Sequence, residues 1–270
     1  MATFTWWAVR WRVELLLLPV DRFQSFLVCL ARVGTLVAVL PVFSGGQVPA
    51  QVRVGLAVIL SLVVFPRALV HIPEVSFDPI GLALLILSEA LIGLLFGFIA
   101  QFVFSAVELG GTVISYQMGF AAANVFDPQT QRQVSVVPQF QNILAILIFL
   151  SLDLHHMFLR VLAESYALLT PGQANLSQGA LGYVIELSST IFVLGVKLAA
   201  PVLAVLILLS VVLGVMARVF PQLNVFFLSF PIKIALSLII IGATMNLTAA
   251  ILIREFNGLG EHFLSILRLL

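Results

Sequence analysis

Apolar residues run through this 270-residue chain in long blocks, separated by short polar or proline-bearing breaks. A membrane-crossing helix needs roughly 20 consecutive, mostly apolar residues, and six blocks come close to or exceed that length. The first extends from Phe23 to Phe43, interrupted by Arg32 and closed by Pro41. A turn at Ser44-Gly45-Gly46-Gln47-Val48-Pro49 leads to the second, from about Val52 to Val70. The polar segment His71 to Pro79 precedes the third, Ile80 to about Val107, which exceeds one crossing and must tilt, kink or leave the bilayer. The fourth covers Phe140 to about Leu162, and the turn-rich stretch Thr170 to Gly182 follows it. The fifth, Tyr183 to Phe220, carries Pro201 near its middle. This is either one long kinked helix or a tight hairpin; one long helix would be about twice the bilayer thickness at about 1.5 Å per residue, so a break near Pro201 is favoured. The sixth, Val225 to about Ile253, contains Pro231 and Lys233.

The expected architecture is one all-α membrane domain over residues 23–253, preceded by an interfacial leader (1–22) and followed by an amphipathic tail (254–270). With six spans, the arginine bias between loops favours both termini on the cytoplasmic side, and a hairpin at Pro201 would change that parity. The leader holds Trp6, Trp7 and Trp11 beside Arg10 and Arg12, the composition of an interfacial anchor. Its short run Leu15 to Leu18 ends at Pro19, Asp21 and Arg22 without a small-residue cleavage site, so a membrane-surface segment is favoured over a cleaved signal.

The longest polar interruption, Glu108 to Gln139, breaks this regularity. It contains Gly110-Gly111, Met118, Phe120, Phe126 and Asp127-Pro128, and little charge. The segment is too apolar for a solvated linker and too broken for one regular span. Irregular backbone at membrane depth is tolerated only where protein buries it or it lines a cavity. The segment therefore points to a pore, a gate or a subunit contact.

Composition narrows the class. The chain is 61% hydrophobic and 9% charged, with a mean hydropathy of +1.18, whereas soluble domains are about a quarter charged. A soluble fold is excluded, and a net charge of +1 argues against nucleic acid as partner. A single cysteine, Cys29, leaves no intrachain disulfide and no cysteine-based metal site.

Arg32, Glu89, Asp153, Glu186, Lys197 and Lys233 lie in or near apolar blocks. A central charge costs about 2.5–3.5 kcal/mol on insertion scales, so each needs a partner, a wet cavity or the interface. No helix groups carboxylates as a proton relay would. In Asp153-Leu154-His155-His156 only Asp153 and His156 share a helix face, so no metal is expected. No nucleophile–base pattern, phosphate loop or zinc-protease motif is present, and neither catalysis nor a cofactor is expected. Gly93 and Gly97 form a small-xxx-small pair suited to close helix contact.

Four local patterns, in order, carry a family resemblance: Leu40-Pro41-Val42-Phe43 with Val48-Pro49-Ala50-Gln51-Val52-Arg53; Gly110 through Phe120 with Asp127-Pro128; Leu147 to Leu150 with Asp153 and His155-His156; and Pro221 to Phe226 with Phe230-Pro231-Ile232-Lys233. Together they resemble the FliR/SctT family, membrane subunits of type III secretion export gates, over about Arg32 to Arg254. Leu154 stands where the family commonly has glycine, which puts a tight backbone contact there in doubt.

The resemblance implies a non-enzymatic subunit of a helical, hetero-oligomeric gate built with FliP-like and FliQ-like subunits, joined by FlhB-like and FlhA-like proteins, in the bacterial inner membrane at the flagellar basal body. Unfolded flagellar subunits would pass through it, driven by the proton-motive force and a separate ATPase. The plug that seals the closed pore would be Gly110 to Asp127, with Gly110, Gly111, Gln117, Met118, Gly119, Phe120, Asp127 and Pro128 as its residues. Met118 and Phe120 offer deformable and bulky apolar surface able to close a pore by dewetting. Arg53, Gly93, Gly97, Asn224 and Lys233 are the candidate subunit-contact or structural residues. An injectisome gate is the near alternative, and the Gln117-Met118-Gly119-Phe120 string looks more flagellar. A secondary transporter is the distant one, and it would require paired broken helices in two related halves.

Overall fold

The computed structural model describes residues 20–44, 48–72, 79–119, 136–173, 178–222 and 224–270. Among them are nine α-helices and no strand: α1 (Val20–Val39), α2 (Pro41–Ser44), α3 (Ala50–Ala68), α4 (Pro79–Met118), α5 (Val136–Ser151), α6 (Leu154–Leu168), α7 (Gln178–Val219), α8 (Val225–Ala243) and α9 (Met245–Leu269). Five of these are long and apolar enough to cross a membrane, or six if the bent pair α5–α6 counts as one span. The all-α membrane architecture expected from the pattern is the one observed. Most of the expected leader, through residue 19, lies outside the described residues.

Five points differ from the sequence expectation. Glu108 to Met118 is not irregular: α4 runs straight through it for 40 residues, because the helix satisfies every backbone group internally and its glycines serve side-to-side packing. Likewise Val136 to Gln139 begins α5. The fifth block is a single helix of 42 residues with Pro201 inside it. Proline in a helix interior costs about 3 kcal/mol or more. Here Leu198, Ala199, Val202 and Leu206, buried on both sides of Pro201, hold the helix together. The sixth block divides at Thr244, whose N–H and hydroxyl both donate to the Ile240 carbonyl, giving α8 and α9. Finally, the fourth block bends by 63° between α5 and α6, at Asp153, whose φ of 52° lies in the left-handed region. Leu154, which follows it, is buried.

The chain divides into two compact units. The first takes the described residues through Phe98 with Leu159–Ser177 and Leu267–Leu270. Here Phe26 meets Phe65 edge-on at 5.6 Å, joining α1 to α3. The centre of this unit is polar. Arg32 has no exposed surface. Its Nε donates to Glu89 Oε2 at 2.6 Å, Nη1 to Ser165 Oγ at 2.9 Å, and Nη2 to the Leu169 carbonyl at 3.3 Å. Its guanidinium lies 4.2 Å from the centre of the Tyr166 ring. Two of the charges that the sequence left unpartnered thus neutralise one another, and a cation–π contact shields the flat face. Gly93 and Gly97 make α4 approach α1 closely in the same unit. A Cβ at Gly93 would overlap Thr35 and the Arg32 carbonyl, and one at Gly97 would lie 2.6 Å from Val39 Cβ.

The second unit comprises Ile99–Phe158 and Gln178–Ile266. An aromatic cluster occupies one part of it: Phe104, Phe149 and Phe256 lie mutually within 5.9 Å by ring centres, and Phe158 joins Phe149 to Phe263 at 5.8 and 4.8 Å. α9 supplies its side of this core through Leu252, Phe256, Leu259, Phe263 and Ile266, all buried, at the three- and four-residue spacing of one helix face. By contrast α8 fully buries only Ser237, and its Phe226, Phe227, Leu228, Leu238 and Ile239 are exposed.

The buried pair makes a stability prediction. Arg32→Met or Glu89→Leu alone strands one buried charge and should cost about 3–5 kcal/mol, read as a fall in the unfolding midpoint of detergent-solubilised chain. The double substitution should recover most of the loss. Equal midpoints for wild type and both single variants would contradict the network as a stabilising centre.

Candidate functional site

The C-terminal half of α4 carries most of the residues singled out for the plug, and the second unit packs around it. At Gly110 a Cβ would stand 2.8 Å from the Gly195 carbonyl oxygen and 3.4 Å from Leu198 Cβ. Reciprocally, a Cβ at Gly195 would meet Leu109 Cδ2 at 3.0 Å and the Ala106 carbonyl at 3.1 Å. Ala106 and Gly110 on α4, a small-xxx-small pair, therefore face Gly195 on α7 and bring the two backbones together. One residue on, Gly111 faces α5, where a Cβ would lie 2.6 Å from Pro138 Cα and 2.9 Å from Gln141 Oε1. Adjacent glycines thus dock α4 against two different helices.

Met118, the last residue of α4, is fully buried. It packs with Ile114, Val137, Ala199, Val202 and Leu206, flanked by Leu203, Ile234 and Ile240. Gly119 then ends the helix at φ +93°, donating its N–H to the Tyr116 carbonyl at 3.1 Å. That conformation is open to glycine and strained for other residues. A Cβ there would also stand 2.7 Å from Phe230 Cδ1 of α8. Gln117 is exposed. Phe120, Asp127 and Pro128 lie outside the described residues. Near this end the buried polar atoms Ser115 Oγ, Gln141 Oε1 and Asn142 Oδ1 have no hydrogen-bond partner among the described residues.

The remaining candidates are dispersed. Asn224 is the N-cap of α8: its Oδ1 accepts the Phe227 N–H at 3.4 Å. Lys233 is half-buried in the same helix, whereas Glu186 and Lys197 are exposed on α7. Arg53 lies half-buried in the first turn of α3. His155 joins Asp153 and His156 after all. With the left-handed residue at the bend, the two imidazoles lie with ring centres 4.2 Å apart, tilted by 39°, and all three donor atoms come within 4.8 Å of one another. They could contact one side of a cation, but Asp153 and His156 are largely exposed. Sequence reasoning passed over Gly195. Its pairing with Ala199 at i, i+4 inside an apolar run was the available signal.

The amino-acid sequence that builds this arrangement matches a known family. The family described as "Bacterial export proteins, family 1" matches residues 23–259. The chain belongs to this family. Among relatives of this export protein are the flagellar biosynthetic proteins FliR of Bacillus subtilis, 35% identical over 88% of the chain and 92% of the relative, and of Escherichia coli K12, 32% identical over 82% and 84%. The FliR of Pectobacterium carotovorum is 33% identical over 80% and 82%. The matched span encloses the Arg32 network and the α4 glycines. It places the chain among membrane proteins with a flagellar, export-related role, a transport component rather than a recognised enzyme family.

Side-chain volume at the two docking glycines should be costly. Gly110→Val and Gly111→Val should each lower stability by about 1–3 kcal/mol through overpacking, with a matching fall in unfolding midpoint. Gly258→Ala, where a Cβ would meet nothing within 4 Å, should leave the midpoint unchanged or slightly raised. Tolerance of valine at both Gly110 and Gly111 would rule out the close backbone contacts.

Proposed function

We propose that the chain is a non-enzymatic subunit of the flagellar type III protein export gate. In this reading it assembles with FliP-like and FliQ-like subunits in the bacterial inner membrane, meets FlhB-like and FlhA-like proteins, and helps form and seal the pore through which unfolded flagellar subunits leave. Gly110 through Asp127 is the sealing segment. The observation that carries the reading is the anchored end of α4. Gly110 and Gly111 seat the helix against α7 and α5, Met118 is packed in a core, and Gly119 turns the chain sharply against Phe230. A seal needs such a root. The segment that yields to a passing chain must spring from a helix that does not.

The flagellar assignment, rather than an injectisome one, is supported by the relatives, which are flagellar biosynthetic proteins. Assembly with other subunits is supported by the open apolar surface of α8, where Phe226, Phe227, Leu238 and Ile239 are exposed. Gly93, Gly97 and Asn224 act within the chain in this reading, as close-packing and capping residues, and Lys233 lies on the subunit-facing helix.

Co-expression with the FliP-like and FliQ-like partners, followed by native mass spectrometry of the tagged chain, should return a defined hetero-oligomer. Recovery alone, or only as a homo-oligomer, would overturn the gate reading and favour a secondary transporter. Within the complex, Met118→Ala removes a buried side chain at a cost of about 2–5 kcal/mol. Together with Phe120→Ala it should raise ion leak across the membrane while the oligomer still forms. Unchanged leak in both variants would remove the seal.

A further inference from the structure

The bend between α5 and α6 brings a carboxylate and two imidazoles to one place. Inside a regular helix, neighbouring residues do not face one another, and His155 and His156 would diverge. Here Asp153 breaks the helix in the left-handed region, at φ 52°. Its carbonyl accepts the His156 and Met157 N–H groups at 3.0 and 3.3 Å, so α6 starts from it and its side chain stays beside the first turn. Asp153 Oδ1 lies 3.6 Å from His156 Nδ1 and 4.0 Å from His155 Nε2. One donor atom from each of the three residues falls within 4.8 Å of the others. His155 Nδ1 is buried, which leaves the opposite ring nitrogen, Nε2, turned toward the carboxylate.

Spacing and donor chemistry narrow the ligand. Zinc bonds to nitrogen and oxygen of about 2.0–2.2 Å, at tetrahedral angles, hold the donors about 3.4 Å apart. The carboxylate oxygen is less than about an ångström from that spacing to either imidazole, a gap that side-chain torsions close. Two of the three donors are imidazole nitrogens, which suit first-row transition ions, whereas magnesium and calcium take oxygen ligands. The Asp153 and His156 side chains are 75% and 69% exposed, so an ion reaches them and the remaining coordination positions fall to water. The positive end of α6 and the negative end of α5 meet at the bend and offset one another. The donor set therefore decides the affinity.

We propose that Asp153, His155 and His156 form a site for one divalent first-row transition ion of the zinc class, which ties the bend residue to the first turn of α6. A straightened helix separates these donors, so a bound ion favours the 63° bend by mass action. The inference rests on local geometry, all of it within the second unit. It depends neither on the export-gate reading nor on a position in the membrane.

The test is isothermal titration of zinc chloride into the full, tag-free chain in detergent. One ion should bind, with a Kd on the order of 10 µM. His156→Gln and Asp153→Asn should each weaken binding by about tenfold or more. Asparagine also enters the left-handed region, so Asp153→Asn keeps the bend while weakening the ligand. His71→Gln and His262→Gln, at the other two histidines, should leave the affinity unchanged, and magnesium chloride should give no saturable heat. Saturating zinc should raise the unfolding midpoint of the wild type and not that of His156→Gln. Circular dichroism checks that each variant is folded; if Asp153→Asn is not, the exposed His156→Gln decides. No saturable zinc binding below about 1 mM, undiminished affinity in His156→Gln, or magnesium binding as tight as zinc would overturn the site. A wild-type midpoint unmoved by zinc would overturn its hold on the bend.

Discussion

The contact on which most of this structure depends is the approach of the α4 backbone to its neighbours with no side chain between them. Within a bilayer, apolar side chains gain little by leaving lipid for protein, so helices associate through close packing and polar contacts instead. α4 meets that condition twice along its length. In the first unit Gly93 and Gly97 admit α1, and the buried Arg32–Glu89 pair draws on the same two helices. In the second unit Gly110 and Gly111 admit α7 and α5. Each cluster described above, whether polar, aromatic or around Met118, forms beside one of these approaches.

How much of this was legible in the sequence follows from what each feature depends on. Helix content and membrane class depend on apolar run length, and the blocks locate α1, α3 and α7 and the starts of α4, α5 and α8 to within a few residues, but not the end of α4 or the divisions between α5 and α6 and between α8 and α9. Continuity depends on packing, which a linear reading does not contain. Pro201 and Gly110-Gly111 look like breaks by local propensity, yet both lie inside helices because partners on either side hold them there. The same glycines mark loops in one setting and helix docking in another. Only the facing residue, Gly195 or Pro138, decides between them.

Partners of charges were legible only in part. The cost of burying Arg32 and Glu89 was evident from their surroundings, but their separation of 57 residues conceals the pairing. Gly93 was readable as a packing residue from its spacing to Gly97. That it clears space for the Arg32 backbone itself was not. Asp153 is a further case: its left-handed backbone turns α5 into α6 and draws His155 to a face that helical periodicity assigns elsewhere.

The burial of Cys29 has a practical consequence. It is the chain's only cysteine, it has no exposed surface, and its thiol is turned toward the Ser61 carbonyl, 3.9 Å away. A water-soluble maleimide has no route to it while the fold is intact. The native chain is therefore already a silent background for thiol chemistry: any cysteine introduced on its surface would be the single reactive handle, and labelling of the unaltered protein would itself report unfolding.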